Sequence, residues 1–237
     1  MNVRLGWWLG NPGPEGERTY KTDGPKLGAW WLAQETLGLT TDSRGYVYLS
    51  DGGHFENLGL YEMVRRRCRY IVISDAGCDP DIAFEDLGNA VRKIRIDLGV
   101  EIKFFGLDAI RERRRQPTDR KCCAPGGAPK DTTNDPYWSV GCITYPEIDP
   151  ATGENYCGHI LYLKPGLRGD EPADVKSYAA ASPAFPHEGT GDQWFSESQF
   201  ESYRALGDHI MSAAITTLRG QAPPTPLTLG SIINRLR

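Results

Sequence analysis

Two aspartates directly follow short apolar segments of the sequence, and both are candidates for catalytic chemistry. Asp51 follows residues 46–49, and Asp75 follows residues 70–74. Carboxylates act as general bases, as nucleophiles and as metal ligands, and open α/β sheets place functional groups at the C-terminal ends of their parallel strands. The alternative for each residue is a role in a turn, because Asp-Gly is a common turn signal. For Asp75, which lacks further distinctive neighbours, the turn or cap interpretation is favoured.

The surroundings of Asp51 are more specific. Residues 48–60 read Tyr-Leu-Ser-Asp-Gly-Gly-His-Phe-Glu-Asn-Leu-Gly-Leu. This run resembles the second catalytic motif of the patatin-like phospholipases, in which Asp-Gly-Gly or Asp-Gly-Ala follows a strand. Residues 2–8, 60–67, 185–188 and 192–195 also resemble bacterial members of this family. The resemblance therefore covers nearly the whole chain.

The resemblance implies a lipid acyl hydrolase, related to the cytosolic phospholipases, that uses a Ser-Asp dyad and neither a metal nor an organic cofactor. In that family the nucleophile is a serine in a Gly-x-Ser-x-Gly elbow, and Asp51 matches its catalytic partner. A serine hydroxyl is a poor nucleophile until a base within hydrogen-bonding reach takes its proton. Gly52 and Gly53 would let the backbone turn sharply and hold the carboxylate in place, and Asn57 is expected near the site.

The chain departs from the family pattern because Gly-x-Ser-x-Gly occurs nowhere in its 237 residues. We expect the nucleophile to belong to a missing N-terminal portion of the same domain, so that this chain alone is inactive. Ser50 is not expected to replace the nucleophile, since neighbouring strand residues point to opposite faces. Without the missing portion, residues 46–49 and the tryptophans at positions 7, 8, 30 and 31 are expected to be exposed and to promote association.

Two functions from other classes stay open. The chain could be a truncated or interaction module that keeps the scaffold without catalysis. It could instead be a metal-dependent hydrolase that uses Asp51, Asp75 and His54. Against the second, no set of histidines and carboxylates has the spacing of a metal site, so His54 is interpreted as a loop residue beside the site.

Hydrophobic periodicity predicts the elements that position these residues. Helices are predicted at 26–37, 56–68, 82–98, 171–181 and 196–218, strands at 46–49, 70–74 and 100–105, and a β-hairpin at 140–145 and 156–163. The strand, helix and strand between residues 46 and 74 predict a βαβ unit with parallel strands. The predicted fold class is α/β, a mostly parallel sheet covered by helices, as in the patatin-like fold, and incomplete at the N-terminus. Asp51 and Asp75 are then expected at one edge of this sheet.

The predicted domain organisation has two parts. Residues 1–222 are interpreted as the C-terminal part of a patatin-like catalytic domain, with a long loop at about 106–137. No regular element is predicted in residues 1–25, where an apolar stretch runs into Gly-Asn-Pro-Gly-Pro. Residues 223–237 are interpreted as a Pro-rich linker and a short helix.

Composition limits the partners and the location. The chain has 27 basic and 31 acidic residues and a net charge of −4, which argues against nucleic acid as the main partner. It has no apolar run of about 18 residues and no signal peptide, so we expect an intracellular protein, soluble or peripherally associated with a membrane. The expected partner is a lipid or acyl ester. Transient membrane-surface contact is expected through Arg65, Arg66, Arg67 and Arg69 with the run from Arg111 to Arg115 or, as the favoured alternative, these arginines form a solvated face. The six irregularly spaced cysteines are expected to be reduced.

Overall fold

The computed structural model describes residues 6–112, 137–148, 150, 152–189 and 191–219. They form a mixed α/β structure that divides into two compact units, Met1–Asn57 and Leu58–Arg237. The first unit contains β1 (Gly6–Gly10), α1 (Gly28–Thr36) and β2 (Tyr46–Ser50). The second contains α2 (Leu60–Arg65), β3 (Tyr70–Ser74), α3 (Glu85–Leu98), β4 (Glu101–Phe105), α4 (Leu107–Glu112), β5 (Trp138–Ile148), β6 (Asn155–Leu163), α5 (Ala173–Ala181) and α6 (Glu197–Arg219).

The first unit is organised around an antiparallel pair of strands. β1 pairs with β2 so that Trp8 lies opposite Tyr48, and the centroids of their rings are 5.2 Å apart. The ring of Trp31 on α1 packs against Trp8 at the same centroid distance. Asn11 closes the unit by donating two hydrogen bonds of 2.7 Å to the carbonyls of Asp42 and Arg44. The unit is therefore held by aromatic contacts and local hydrogen bonds.

This pairing corrects the predicted βαβ unit. β2 lies in a two-stranded sheet with β1, whereas β3 belongs to a separate four-stranded sheet. The prediction that Asp51 and Asp75 follow strands of one parallel sheet is therefore wrong, as is the prediction of no regular element in residues 1–25. A short strand can satisfy its backbone hydrogen bonds against either neighbour. β1 was not recognised as a strand because the turn-forming run Gly-Asn-Pro-Gly-Pro begins at its last residue.

The sheet of the second unit has the order β3-β6-β5-β4 and is mixed. β3 and β6 are parallel, while β5 is antiparallel to both β6 and β4. The structure thus confirms an α/β chain and the predicted hairpin of β5 and β6, but not the mostly parallel sheet. Hydrophobic patterning indicates which segments are strands and leaves their partners undetermined.

One face of this sheet carries the main core. Ile71 and Ile73 of β3 and Tyr162 of β6 face the same side, where they pack with Leu60 of α2 and Ile94 of α3. All five are at most 3% exposed. A second cluster joins Leu163 and Trp138 to α5 and α6. The opposite face of β3 is less covered, since Val72 remains 42% exposed.

Several predicted helices are confirmed with changed ends. α2 and α3 begin later than predicted, because Gly59 and Phe84 adopt left-handed conformations immediately before them. α6 begins after Ser196, whose hydroxyl accepts a hydrogen bond from the Gln199 N–H, as an N-cap side chain does. The first residues of the predicted 106–137 loop form α4, and residues 113–136 and 220–237 lie outside the described residues.

Candidate active site

Asp51 lies immediately after β2, in the first unit. Its backbone is extended, and the next three residues form a short 3-10 helix, Gly52–His54. Its side chain is 70% exposed. The Asp51 carboxylate is thus held at the start of a tight turn and is open to solvent.

The side chains of Ser50, Asp51 and His54 converge on one nitrogen atom. Nδ1 of His54 is 2.5 Å from the hydroxyl oxygen of Ser50 and 3.2 Å from Oδ1 of Asp51. A Ser-His-Asp triad needs the serine at one ring nitrogen and the carboxylate at the other. One neutral nitrogen cannot accept from the serine and donate to the aspartate at the same time. The arrangement is therefore a local cluster and not a triad.

The position of Ser50 differs from the expectation. Ser50 and Asp51 were expected to point apart, as neighbours in a strand do, yet both side chains contact His54. β2 ends at Ser50, and the turn that follows brings the His54 ring back to both side chains. The alternation of faces applies only inside a strand, so it does not separate residues at a strand end.

Gly53 and Asn57 also belong to this cluster. A Cβ atom on Gly53 would lie 2.6 Å from Oδ1 of Asn57 and 3.1 Å from Oδ1 of Asp51. A Cβ atom on Gly52 would meet no atom within 4 Å. A Cβ atom at position 53 would therefore displace the side-chain oxygens of Asn57 and Asp51, whereas one at position 52 would displace no atom.

Asp75 has different surroundings, in the second unit. It is 1% exposed, and its Oδ1 accepts a hydrogen bond of 3.1 Å from the Gly77 N–H, as a turn residue does. Its Oδ2 accepts a 2.5 Å hydrogen bond from Tyr162, and the Lys164 ammonium lies 3.0 Å from Oδ1. Burial and this hydrogen bond to Asp75 raise the pKa of Tyr162, which keeps its hydroxyl protonated as a donor. Asp75 is therefore engaged in a buried network rather than presented to a substrate.

The same network fixes the loop after β3. Burial alone would raise the pKa of Asp79, but hydrogen bonds from the Ala83 and Phe84 N–H groups and the Lys164 ammonium outweigh burial and lower it. Those backbone bonds are 2.8 and 2.9 Å long, and the ammonium lies 3.5 Å from Oδ2 of Asp79. The single positive charge of Lys164 thus pairs with two carboxylates of one loop.

Sequence reasoning missed Lys164 and Tyr162. Asp75 and Lys164 follow β3 and β6, the two parallel strands, so they meet at the C-terminal ends of that pair. The available signal was a lone lysine after a long apolar strand. It was not used because residues 156–163 were interpreted only as half of a hairpin.

Arg65, Arg66 and Arg67, three of the arginines considered for membrane contact, form ion pairs in the structure. Arg65 and Arg66 both bond to the Glu62 carboxylate at 2.7 Å, and these hydrogen bonds lower the pKa of Glu62 to about 2. Arg67 pairs with Glu147 at 2.8 Å. The run from Arg111 to Arg115 lies outside the described side chains.

Among the described residues, no group of three or more histidine, cysteine, aspartate or glutamate side chains is placed to hold a metal ion. No helix among those residues combines the length and apolar composition needed to cross a bilayer. The described cysteines, at positions 68, 78, 142 and 157, are free thiols, while Cys122 and Cys123 lie outside the described residues.

The chain was compared with protein-family models, with curated proteins and with solved structures, and no match was found in any of the three comparisons. A functional proposal therefore depends on the motif around Asp51 and on its geometry.

Proposed function

We propose that the chain carries the aspartate half of a Ser-Asp lipid acyl hydrolase, with Asp51 as the general base. The supporting observation is the close approach at Gly53, which sets the exposed Asp51 carboxylate beside Asn57 directly after a strand. A carboxylate in that position is open to an incoming serine hydroxyl and already has fixed neighbours. The second supporting argument is the resemblance of residues 48–60 to the patatin-like motif.

The reaction follows from the roles of two groups. Asp51 takes the proton from a serine hydroxyl while the serine oxygen attacks the ester carbonyl carbon. The tetrahedral oxyanion collapses, the bond to the alcohol oxygen breaks, and Asp51 returns the proton to the departing alcohol. Water then attacks the acyl-enzyme with Asp51 again as base, which releases the carboxylic acid and regenerates the serine.

The nucleophilic serine is assigned to a portion of the same domain outside these 237 residues. The test uses the natural reading frame that contains this sequence, assayed with a short-chain nitrophenyl ester. Asp51→Asn should lower kcat at least about 100-fold, which is the lower end of the contribution that a general base typically makes. Asp42→Asn, a change at another exposed aspartate of the first unit, should retain activity. Activity that survives Asp51→Asn would contradict the proposal.

A second candidate keeps the reaction class but places the nucleophile in this chain. The 2.5 Å contact between Ser50 and His54 favours it, because Nδ1 of His54 could take the serine proton. A fluorophosphonate probe, which phosphonylates activated serines, distinguishes the two. The proposal predicts no labelling of the 237-residue chain, whereas labelling abolished by Ser50→Ala would favour the second candidate. Absence of turnover and labelling in the natural reading frame would favour a non-catalytic scaffold.

The metal-dependent alternative has less support. Asp75, one of its three expected ligands, is buried and already bound to Lys164 and Tyr162. His54 directs Nδ1 at Ser50 and Asp51. A metal would have to displace an ammonium group from Asp75 in order to bind it.

A further inference from the structure

A cleft in the second unit combines two arginines with two tyrosines. Its volume is about 380 Å³, within the range of about 300–1,000 Å³ that is typical of small-molecule sites. The lining residues come from the loop before β3, from β5 and from β6: Arg67, Arg69, Tyr145, Glu147, Tyr156 and Cys157. We call this the arginine-tyrosine cleft.

The framework of the cleft is fixed by hydrogen bonds. The Tyr145 hydroxyl donates to the Cys68 carbonyl at 2.7 Å, and Asn155 donates to the Tyr145 carbonyl at 2.7 Å. The His159 N–H donates to the Arg69 carbonyl, also at 2.7 Å. Burial raises the pKa of Tyr145 to about 12, so its hydroxyl stays protonated. The walls are therefore preorganised.

Two backbone irregularities lie at the cleft. The pairing of β5 with β6 shifts register between Thr144 and Ile148, the segment that holds Tyr145 and Glu147. Arg67 has a φ of 58°, a left-handed conformation that is unusual for a residue with a side chain. Bulges and strained residues are both enriched at binding sites. The irregularities direct Arg67, Tyr145 and Glu147 into one space.

The side chains that line the cleft carry more positive than negative charge. Glu147 pairs with Arg67 at 2.8 Å, and that guanidinium lies over the Tyr145 ring at 5.3 Å from its centroid. Arg69 stacks on Tyr70 and has no carboxylate partner among the described residues. One positive charge therefore remains uncompensated, which matches a monoanion better than a doubly charged phosphate.

We propose that the arginine-tyrosine cleft binds a small aromatic carboxylate. The carboxylate would accept hydrogen bonds from the Arg69 guanidinium, and the aromatic body would pack against the exposed ring of Tyr156. The cleft contains no residue of the Asp51 cluster, so this binding is independent of the acyl hydrolase proposal.

The test uses the full chain with 2-naphthoate as probe and 2-naphthamide, its neutral isostere, as control, and binding is measured by calorimetry and saturation-transfer NMR. The naphthoate should bind saturably and more tightly than the amide, and added salt should weaken it. Arg69→Gln should weaken naphthoate binding about 10-fold, in line with loss of hydrogen bonds to a charged group. Arg65→Gln, which alters an exposed arginine outside the cleft, should leave it unchanged.

A second variant moves affinity in the opposite direction. Glu147→Gln removes the negative charge and releases Arg67, so naphthoate should bind several-fold more tightly. Circular dichroism and thermal melts check that the variants are folded, and Asp51→Asn should bind as the unchanged chain does. Equal affinity for the amide, equal effects of Arg69→Gln and Arg65→Gln, or no saturable binding would overturn the proposal.

Discussion

The backbone at Gly53 passes nearer to the oxygen atoms of Asp51 and Asn57 than a residue with a Cβ could. This close approach explains why an Asp-Gly-Gly sequence here differs from an ordinary Asp-Gly turn, in which the glycine supplies a left-handed conformation. Neither Gly52 nor Gly53 has a φ in the left-handed region, so the sharp turn expected from them does not depend on that freedom. What limits residue 53 is the space for a Cβ atom and not its backbone conformation.

Gly53→Ala and Gly52→Ala should therefore differ in their effect on stability. The first places a methyl group 2.6 Å from an Asn57 oxygen and, because only the ends of two side chains have to shift, should cost about 1 kcal/mol of unfolding free energy. The second enters open space and should change it by no more than about 0.5 kcal/mol. Urea unfolding followed by tryptophan fluorescence measures this, because four of the six tryptophans, at positions 7, 8, 30 and 31, lie in the first unit.

The same pair of variants also tests the site in the natural reading frame. Gly53→Ala should reduce ester hydrolysis by displacing the Asp51 carboxylate, and Gly52→Ala should not. Equal stability and activity of the two variants would mean that the close approach at Gly53 has no importance for the Asp51 cluster.

At the scale of the element, the parallel pair β3 and β6 ends in opposite charges. Asp75 follows one strand and Lys164 the other, both at most 2% exposed. Breaking a buried pair by removing one partner is costly because the other charge stays buried without compensation. The pair therefore ties the ends of two strands that come from distant parts of the chain.

Lys164→Met should lower the unfolding free energy by about 3–5 kcal/mol. The double variant Lys164→Met with Asp75→Asn should be less destabilised than Lys164→Met alone, since asparagine is neutral and still accepts the hydrogen bond from Tyr162. Thermal and urea unfolding of both variants provide the comparison. A double variant less stable than Lys164→Met alone would show that the charge of Asp75 is needed for another reason.

Elements were more predictable than their pairing. The strand ends at residues 46, 70 and 74, the hairpin of β5 and β6, and the cap of α6 all follow from local patterns of apolar, turn and capping residues. The partner of β2 and the parallel pairing of β3 with β6 depend on contacts between distant residues, which local patterns do not encode. For the same reason Asp51 could be selected from its neighbours, whereas Tyr162 and Lys164 became visible beside Asp75 only in the fold.

At the scale of the whole chain, the two units differ in the amount of apolar surface that they bury. Every fully buried apolar side chain among the described residues lies at or beyond Leu60, in the second unit. The first unit instead exposes large apolar side chains, including Trp7 at 67%, Trp30 at 62% and Leu37 at 72%. Since burial of apolar surface is the main source of stability, the first unit should be the less stable of the two.

The exposed apolar residues of the first unit should drive self-association of the 237-residue chain. Large apolar patches on soluble proteins promote contacts, and within the described ranges of the chain both strands of the β1–β2 sheet have an unpaired edge. Trp7→Gln combined with Trp30→Gln should reduce the oligomer fraction in sedimentation velocity, measured over a range of concentrations. Trp194→Gln is the matched control, because it removes a 90% exposed tryptophan from the second unit and should leave association unchanged. A monodisperse, cooperatively melting monomer of the unchanged chain over the same range of concentrations would contradict this prediction.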